Sequence, residues 1–304
     1  MNERPAPKQM AYRITHVLNA VFGADRFPVD VKRLATELSR EWHPDDAVTL
    51  VRGESLPDFD GGLYRAPAGR GQGWGIFYNK DVASQGRVNF TLAHEFGHYL
   101  LHRTEYPDGI TCSQTDVLGA DDLLSRIELE ANEFAAALLM PLDDFRRRID
   151  ADSKPSLQDI GACADRYGTS FTATALRWLD YTKRRAVLVV SRDGFILWSR
   201  SSERALRSGR FFRTAHRSPV EIPDGSWAAN KMATANNGCI QHDADVWFDE
   251  PCEEIALLAD RYDFTISLLH LDRDVRAGHF DDEPHEVDAY EGMVRKTPGS
   301  SWLA

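Results

Sequence analysis

The sequence predicts an α+β protein, and three features of the residue pattern carry that prediction. Residues 90–101 are apolar with helical spacing and follow glycine- and aromatic-rich stretches that are typical of strands. A second helical periodicity covers about residues 121–140 and stops at Pro141, which cannot continue a helix. From Ala186 the pattern changes to that of a β-hairpin, which indicates a second domain of α/β type.

Residues 1–150 are expected to form one compact α+β domain, because every element in them can share a single core. In chain order the pattern predicts helices at 9–20 and 29–39, strands within 58–79, a helix that starts at an Asn89 cap, a polar loop at 104–120 and a helix at 121–140.

Residues 151–184 have the pattern of two short helices that meet near Gly168, with Ser156 and Ser170 as N-caps. Such a helix-turn-helix-like pair could bind DNA, or it could serve only as a packing element. The sequence leaves both interpretations open.

The second domain is expected at residues 185–272. It contains a hairpin that turns at Asp193-Gly194, and the apolar run at 253–271 suggests a helix. Residues 273–304 are acidic and poor in apolar side chains, so we expect a mobile tail.

Composition limits the possible classes of protein. At 42% hydrophobic and 27% charged residues, the chain of 304 residues is typical of a globular protein. No run approaches the roughly 18 apolar residues of a membrane span, and the N-terminal segment has no apolar signal core. The four cysteines are scattered without the spacing of a disulfide framework. We therefore expect a cytoplasmic protein with reduced thiols and no membrane contact.

An H-E-x-x-H motif at residues 94–98 lies inside the first apolar helix. His94 and His98 are four residues apart, so they share one helix face and can close on a single divalent metal ion. Glu95 between them can reach a water molecule held by that ion. Polar groups on a buried helix are costly unless a metal or hydrogen bonds satisfy them. The motif therefore predicts a zinc-dependent hydrolase.

A catalytic zinc needs a third protein ligand and one open position. The candidates are His102, Cys112, Glu128, Glu130 and Glu133. His102 would lie about 12 Å from His94 along the helix, so we expect it to form a hydrogen bond nearby or to line the cleft rim.

Glu128 is the preferred third ligand, because it flanks the apolar face of the second long helix. Asn132 lies one turn later and could orient a ligand through a hydrogen bond. Glu130 and Glu133 are expected to face solvent.

The segments TLAHEFGHYLLH at 91–102 and ELEANEFAAALLMP at 128–141 resemble the ImmA/IrrE family of metallopeptidases. The upstream PVDVKRLA at 28–35 also fits, and the resemblance covers about residues 28–180. It implies a zincin-like domain in which His94, His98 and Glu128 bind zinc and Glu95 is the general base. The donor that would share the oxyanion charge stays open among Tyr64, Tyr78, Tyr99 and His102.

The resemblance also implies a biological role. Its substrates would be helix-turn-helix transcriptional repressors, each cut once to release stress or antiviral genes. Some members carry a GAF-like sensor domain, which residues 185–272 resemble. Among the relatives, the chain is most similar to the CapP-type peptidases of bacterial antiviral (CBASS) operons, which implies a cysteine switch and a nucleic-acid trigger.

Cys112 lies in the loop between the two ligand-bearing helices. Its thiolate could occupy the open zinc position as an inhibitory fourth ligand. It could equally be a spectator in a mobile loop.

The net charge of −11 argues against nucleic-acid binding, but the charge is uneven. Residues 183–217 carry a local excess of +8, with Phe211 and Phe212 interleaved. Arginines with stacking aromatics suit single-stranded DNA, although a solvated basic face is the alternative. The candidate nucleic-acid contacts are Arg204, Arg207, Arg210, Arg213 and Arg217.

A second class of function remains open: a non-catalytic regulator in which a structural zinc fold binds DNA or a partner protein. The presence of Glu95 favours the enzyme, since a binding module needs no base beside its metal.

Overall fold

The computed structural model describes residues 5–56, 59–66, 73–111, 122–213, 219–230, 239–259 and 264–272. Its helices are α1 (Pro7–Phe22), α2 (Val31–Trp42), α3 (Gln85–His102), α4 (Asp122–Leu139), α5 (Leu142–Arg148), α6 (Leu157–Tyr167), α7 (Phe171–Leu179), α8 (Glu203–Arg207) and α9 (Trp227–Asn230). Short 3₁₀ helices cover Gly23–Arg26 and Pro44–Asp46. Its strands are β1 (Val48–Glu54), β2 (Gly61–Arg65), β3 (Trp74–Asn79), β4 (Gly109–Thr111), β5 (Arg185–Arg192), β6 (Phe195–Ser201), β7 (Val220–Glu221), β8 (Cys239–His242), β9 (Cys252–Ala259) and β10 (Phe264–Leu271).

The described residues form two compact units. The first comprises those within 1–145 and 163–173, and the second those within 146–162 and 174–272. Each unit has its own sheet, so the α+β class is observed with a β-rich C-terminal region. The expected limits at residues 150 and 184 stay a prediction, and the expected tail at 273–304 lies outside the described residues.

The first unit contains a four-stranded sheet in the order β1-β3-β2-β4. β1 runs parallel to β3, whereas β2 is antiparallel to both β3 and β4. Leu63 and Ile76 are fully buried at the centre of this sheet. Helix α3 packs against β2 and β3 on one side and against α4 on another, so it is buried almost all round.

Helix α3 starts earlier than the sequence suggested. Its N-cap is Ser84, whose hydroxyl accepts a hydrogen bond from the Arg87 backbone N–H at 3.3 Å. The expected Asn89 cap is wrong, because Asn89 lies inside the helix and donates instead to the Gly168 carbonyl at 2.9 Å. Two serines are observed as caps: the Ser156 and Ser170 hydroxyls accept from the backbone N–H groups of Asp159 and Ala173.

Gly97 determines how closely α3 and α4 approach. A Cβ at this position would lie 2.9 Å from Phe134 Cδ1 and 3.4 Å from Ala131 Cα. Only a residue without a side chain allows this contact. The close approach brings the first half of α4 beside His94 and His98.

The second unit contains a six-stranded antiparallel sheet in the order β7-β6-β5-β10-β9-β8. The expected hairpin is observed as β5 and β6. The helix expected at 253–271 is wrong, because these residues form β9 and β10. Every residue of β10 is buried, the polar Thr265, Ser267 and His270 included, so the strand lacks the alternation of buried apolar and exposed polar residues that would distinguish it from a helix. The polar Asp-Arg-Tyr-Asp at 260–263 was the available signal for a break.

No helix in the described part of the chain combines the length and the apolar character needed to cross a membrane.

Candidate metal centre

Two helices bring three metal-binding side chains together. His94 and His98 project from α3, and their Nε2 atoms lie 2.9 Å apart. Glu128 projects from α4, with Oε2 3.2 Å from His94 Nε2 and Oε1 3.2 Å from His98 Nε2. Among the described residues this is the group whose donor atoms all meet, within 4.8 Å of one another.

The donor set fits zinc in both chemistry and spacing. Two imidazoles with one carboxylate form a ligand set found in zinc hydrolases. Tetrahedral coordination at about 2.0–2.1 Å places neighbouring ligand atoms about 3.3 Å apart. The observed separations of 2.9 and 3.2 Å are close to that value. His94, His98 and Glu128 are therefore arranged as three ligands of one ion.

Glu95 lies against the start of β2 and is 2% exposed. Its Oε2 atom is buried and has no hydrogen-bond partner among the described residues. A Cβ at Gly61 would come 2.5 Å from Thr91 Cγ2 and 3.0 Å from Glu95 Oε1, so the glycine makes room for this carboxylate. Asp60 next to it is held by an ion pair with Arg87.

The ligand histidines have different hydrogen-bond partners behind them. His94 Nδ1 lies 2.9 Å from Asn132 Oδ1. His98 Nδ1 lies 3.0 Å from His102 Nδ1, so His102 is buried and hydrogen-bonded, not at a cleft rim. These are the positions at which the sequence placed supporting side chains.

Glu130 does not face solvent as the sequence suggested. Its side chain is only 16% exposed, and one oxygen lies 3.1 Å from His102 Nε2. The expectation was wrong because it used only the apolar face of α4, whereas the buried polar His102 on α3 gives Glu130 a partner. Glu133 is 51% exposed beside Lys8, in agreement with its expected position.

The charges of the metal-free site are strongly coupled. Burial alone would lower the pKa of His94, but the Glu128 carboxylate outweighs it and raises that pKa to about 9. At His98 burial prevails and the pKa is lowered. Although burial opposes it, the two imidazoles hold the pKa of Glu128 well below its usual range. Near neutral pH the proton on His94 therefore balances the Glu128 carboxylate, and a metal ion that binds here displaces it.

Two of the four candidate oxyanion donors already form other hydrogen bonds. The Tyr99 hydroxyl donates to the Asp46 carbonyl at 2.9 Å, and burial raises its pKa to about 12. His102 uses both ring nitrogens, as described above. Tyr78 is half-buried and pairs in register with Gly61; its hydroxyl accepts a hydrogen bond from Lys32 Nζ at 2.7 Å and keeps its own proton to donate. Tyr64 on β2 and Tyr78 therefore stay as candidates.

Cys112 and Arg217 lie outside the described residues. Of the other candidate arginines, Arg204, Arg207 and Arg213 are exposed. The Arg213 guanidinium lies 5.3 Å from the centre of the Phe211 ring.

Arg210 differs from these three arginines in its burial: it is 20% exposed and forms ion pairs with Asp249 and Glu250, whereas the ion pair of Arg207 with Glu203 lies on the surface. Phe212 packs against Trp247 as part of the core. The sequence alone could not show that Arg210 and Phe212 are partly buried while these three arginines are exposed.

The donor set is one found in zinc hydrolases, and a comparison with protein families supports a metallopeptidase-like domain. Residues 45–179 match the model of peptidase family M78, described as the IrrE N-terminal-like domain. This range contains α3, α4 and their ligands. Since that family consists of zinc metallopeptidases, the match supports the ImmA/IrrE resemblance and zinc as the metal. A search of the curated proteins gave no match.

Proposed function

We propose that this chain is a zinc-dependent endopeptidase that cleaves a helix-turn-helix transcriptional repressor and thereby releases stress or antiviral genes. The observation that carries the proposal is Glu95, whose buried Oε2 has no partner among the described residues. A buried polar atom left unpaired costs about 1–3 kcal/mol, and more if it is charged. Such a cost beside three converging metal ligands favours a catalytic use over a structural one.

When bound, a zinc ion supplies Lewis-acid activation of water and of the peptide carbonyl. Glu95 accepts the proton of the attacking water and later delivers a proton to the leaving amine. Burial raises the pKa of Glu95 to about 8 in the metal-free protein, and a nearby cation lowers it again. A carboxyl tuned in this way can take up and release a proton near neutral pH.

The repressor substrate and the regulation rest on the family resemblance. The match at 45–179 supports a peptidase of the ImmA/IrrE type. The β-rich second unit takes the place of a GAF-like sensor in this proposal. A role like that of the CapP-type peptidases would connect sensing in this unit to cleavage.

The test uses the helix-turn-helix protein encoded beside this chain, incubated with and without a single-stranded DNA oligonucleotide, with the products read by intact mass. The wild type should cut it once, and Glu95→Gln should keep zinc but lose cleavage by about 10²–10⁴-fold. Glu133→Gln makes the same chemical change on an exposed side chain and should cleave normally.

Full cleavage by Glu95→Gln would remove Glu95 from the mechanism. If the wild type binds this protein without cutting it in either condition, the non-catalytic regulator replaces the enzyme.

Single-stranded DNA is the proposed trigger, and the exposed arginines are its proposed contacts. Arg204 and Arg213 can track phosphates, and Phe211 offers a ring for base stacking. The double variant Arg204→Ala/Arg213→Ala should weaken oligonucleotide binding and reduce its salt dependence by about 1–2 released counterions. Arg52→Ala, at an exposed arginine in the first unit, is the matched control. Equal binding by the double variant and this control would place the DNA contact elsewhere.

Cys112 is the proposed inhibitory ligand. Its thiolate would occupy the open zinc position until a signal arrives. Cys112→Ser should raise cleavage in the absence of DNA and leave zinc content unchanged. Basal cleavage equal to that of the wild type would make Cys112 a spectator.

A further inference from the structure

Each of the two ligand histidines has a side chain against its Nδ1 atom, on the side away from the metal site. Behind His94, the amide oxygen of Asn132 lies 2.9 Å from Nδ1. Behind His98 there is a series of three side chains. His98 Nδ1 lies 3.0 Å from His102 Nδ1, His102 Nε2 lies 3.1 Å from Glu130 Oε2, and Glu130 Oε1 accepts from Arg126 Nε at 2.9 Å. Both histidines of this series are fully buried.

The metal end of the series fixes one proton. His98 turns Nε2 toward His94 and Glu128, so the lone pair that binds a metal is on Nε2. A neutral imidazole with a free lone pair on Nε2 carries its proton on Nδ1. His98 Nδ1–H therefore donates to His102, and the Nδ1 atom of His102 must accept.

The carboxylate end of the series fits the same arrangement. Glu130 also receives a hydrogen bond from Arg126, and an ionised carboxylate can only accept. With Nδ1 accepting from His98, a neutral His102 carries its proton on Nε2 and donates it to the Glu130 carboxylate. A neutral His102 with its proton on Nε2 has an acceptor at Nδ1, which is what His98 requires.

We propose that His102, held in one tautomer by Glu130, is a positioning residue that keeps His98 in its metal-binding tautomer and orientation. The inference rests on the proposed zinc site and extends it to two residues outside the ligand set. Hydrogen-bond partners behind a ligand histidine typically change metal affinity about 10–100-fold. Arg126 contributes less, because its side chain is 69% exposed and exposed ion pairs are weak.

The test separates the two hydrogen bonds of His102 by substitution. Asn places its oxygen near the Nδ1 position and keeps an acceptor for His98. Gln places its amide nitrogen near the Nε2 position and keeps only the donor for Glu130. His102→Leu removes both. Zinc affinity is measured by competition with a chromophoric chelator, and thermal unfolding of each metal-free variant serves as the check on folding.

We expect His102→Leu and His102→Gln to lose about 10–100-fold in zinc affinity and His102→Asn to stay within about threefold of the wild type. Folded His102→Leu with wild-type affinity would overturn the inference, as would His102→Gln binding better than His102→Asn. If His102→Leu does not fold, the ranking of the other two variants decides.

A second measurement needs no variant. Nitrogen-15 NMR of the zinc-loaded wild type should show His102 with its proton on Nε2, and a proton on Nδ1 would overturn the inference. Both readouts are independent of cleavage. A wild type that binds no zinc refutes the proposed function, whereas tight wild-type binding that is indifferent to His102 refutes only this inference.

Discussion

Each unit buries a cluster of carboxylate and histidine, and the two clusters differ in one respect. Glu254 in the second unit is fully buried, and both of its oxygens accept hydrogen bonds. Its donors are the Trp227 backbone N–H, Trp247 Nε1, His242 Nε2 and the Ser267 hydroxyl. Glu95 in the first unit is buried to nearly the same degree, yet its Oε2 has no partner among the described residues.

The difference distinguishes a cluster that stabilises the fold from one that can take part in a reaction. A buried carboxylate with four donors is satisfied, so it stabilises the fold and has no remaining capacity to act on a ligand. A buried carboxylate with an unpaired oxygen, beside three converging metal ligands, destabilises the fold until a metal ion and its water are bound. Burial alone would not separate Glu254 from Glu95, whereas hydrogen-bond satisfaction does.

The largest expected effect follows removal of the metal. If the first cluster is completed by zinc, removing the ion with a chelator should abolish cleavage and destabilise the protein. At a free zinc concentration of about 1,000 Kd the stabilisation is roughly 4 kcal/mol. Calorimetry with and without zinc measures this effect, with His94→Gln/His98→Gln as the control that should not respond. An unfolding profile that is the same with and without zinc would contradict the account.

The next effect compares one substitution in both clusters. Glu254→Gln replaces a charged acceptor of four hydrogen bonds, so it should lower the free energy of unfolding by about 1–3 kcal/mol. Glu95→Gln replaces a buried carboxyl whose Oε2 has no partner among the described residues, so the metal-free protein should lose no stability. Chemical denaturation of both metal-free variants measures the contrast. Equal losses in the two variants would show that hydrogen-bond satisfaction does not distinguish the clusters.

The smallest effect is a pH dependence that belongs to the first cluster. Burial raises the pKa of Glu95 from 4.5 to about 8, and Glu128 raises that of His94 from 6.5 to about 9. The folded metal-free protein therefore binds these protons more tightly than the unfolded chain does. Their contribution to stability is present at low pH and is lost as pH rises from about 5 to 9.

Zinc must displace these protons, so its affinity should rise across the same range. Denaturation of metal-free wild type and Glu95→Gln at several pH values isolates the Glu95 part. Parallel curves for the two proteins would remove Glu95 from this explanation.

Sequence spacing predicted the metal cluster because its information is local. The i, i+4 histidines and the apolar stripe of α4 are set by helix geometry, which sequence reveals. The burial of Glu130 was not predicted, because it depends on which face of α4 meets His102 on α3. Contacts between elements distant in sequence leave no periodic trace.

The same limit explains the error at β9 and β10. A strand buried on both faces need not alternate apolar and polar residues, so its sequence lacks the pattern that identifies a strand. Its strand structure is decided by pairing with neighbouring strands, which the local sequence does not show. The Glu254 cluster was also missed, since its four donors come from four separate segments.

X-ray absorption at the zinc edge tests the central claim most directly. The purified wild type should retain one zinc per chain, bound by two imidazoles and a carboxylate oxygen at about 2.0–2.2 Å. Glu128→Gln should weaken or alter that shell, and Glu254→Gln should leave it unchanged. Absence of stoichiometric zinc, or a wild-type spectrum without the imidazole pair, would contradict the assignment of His94, His98 and Glu128 as the metal centre.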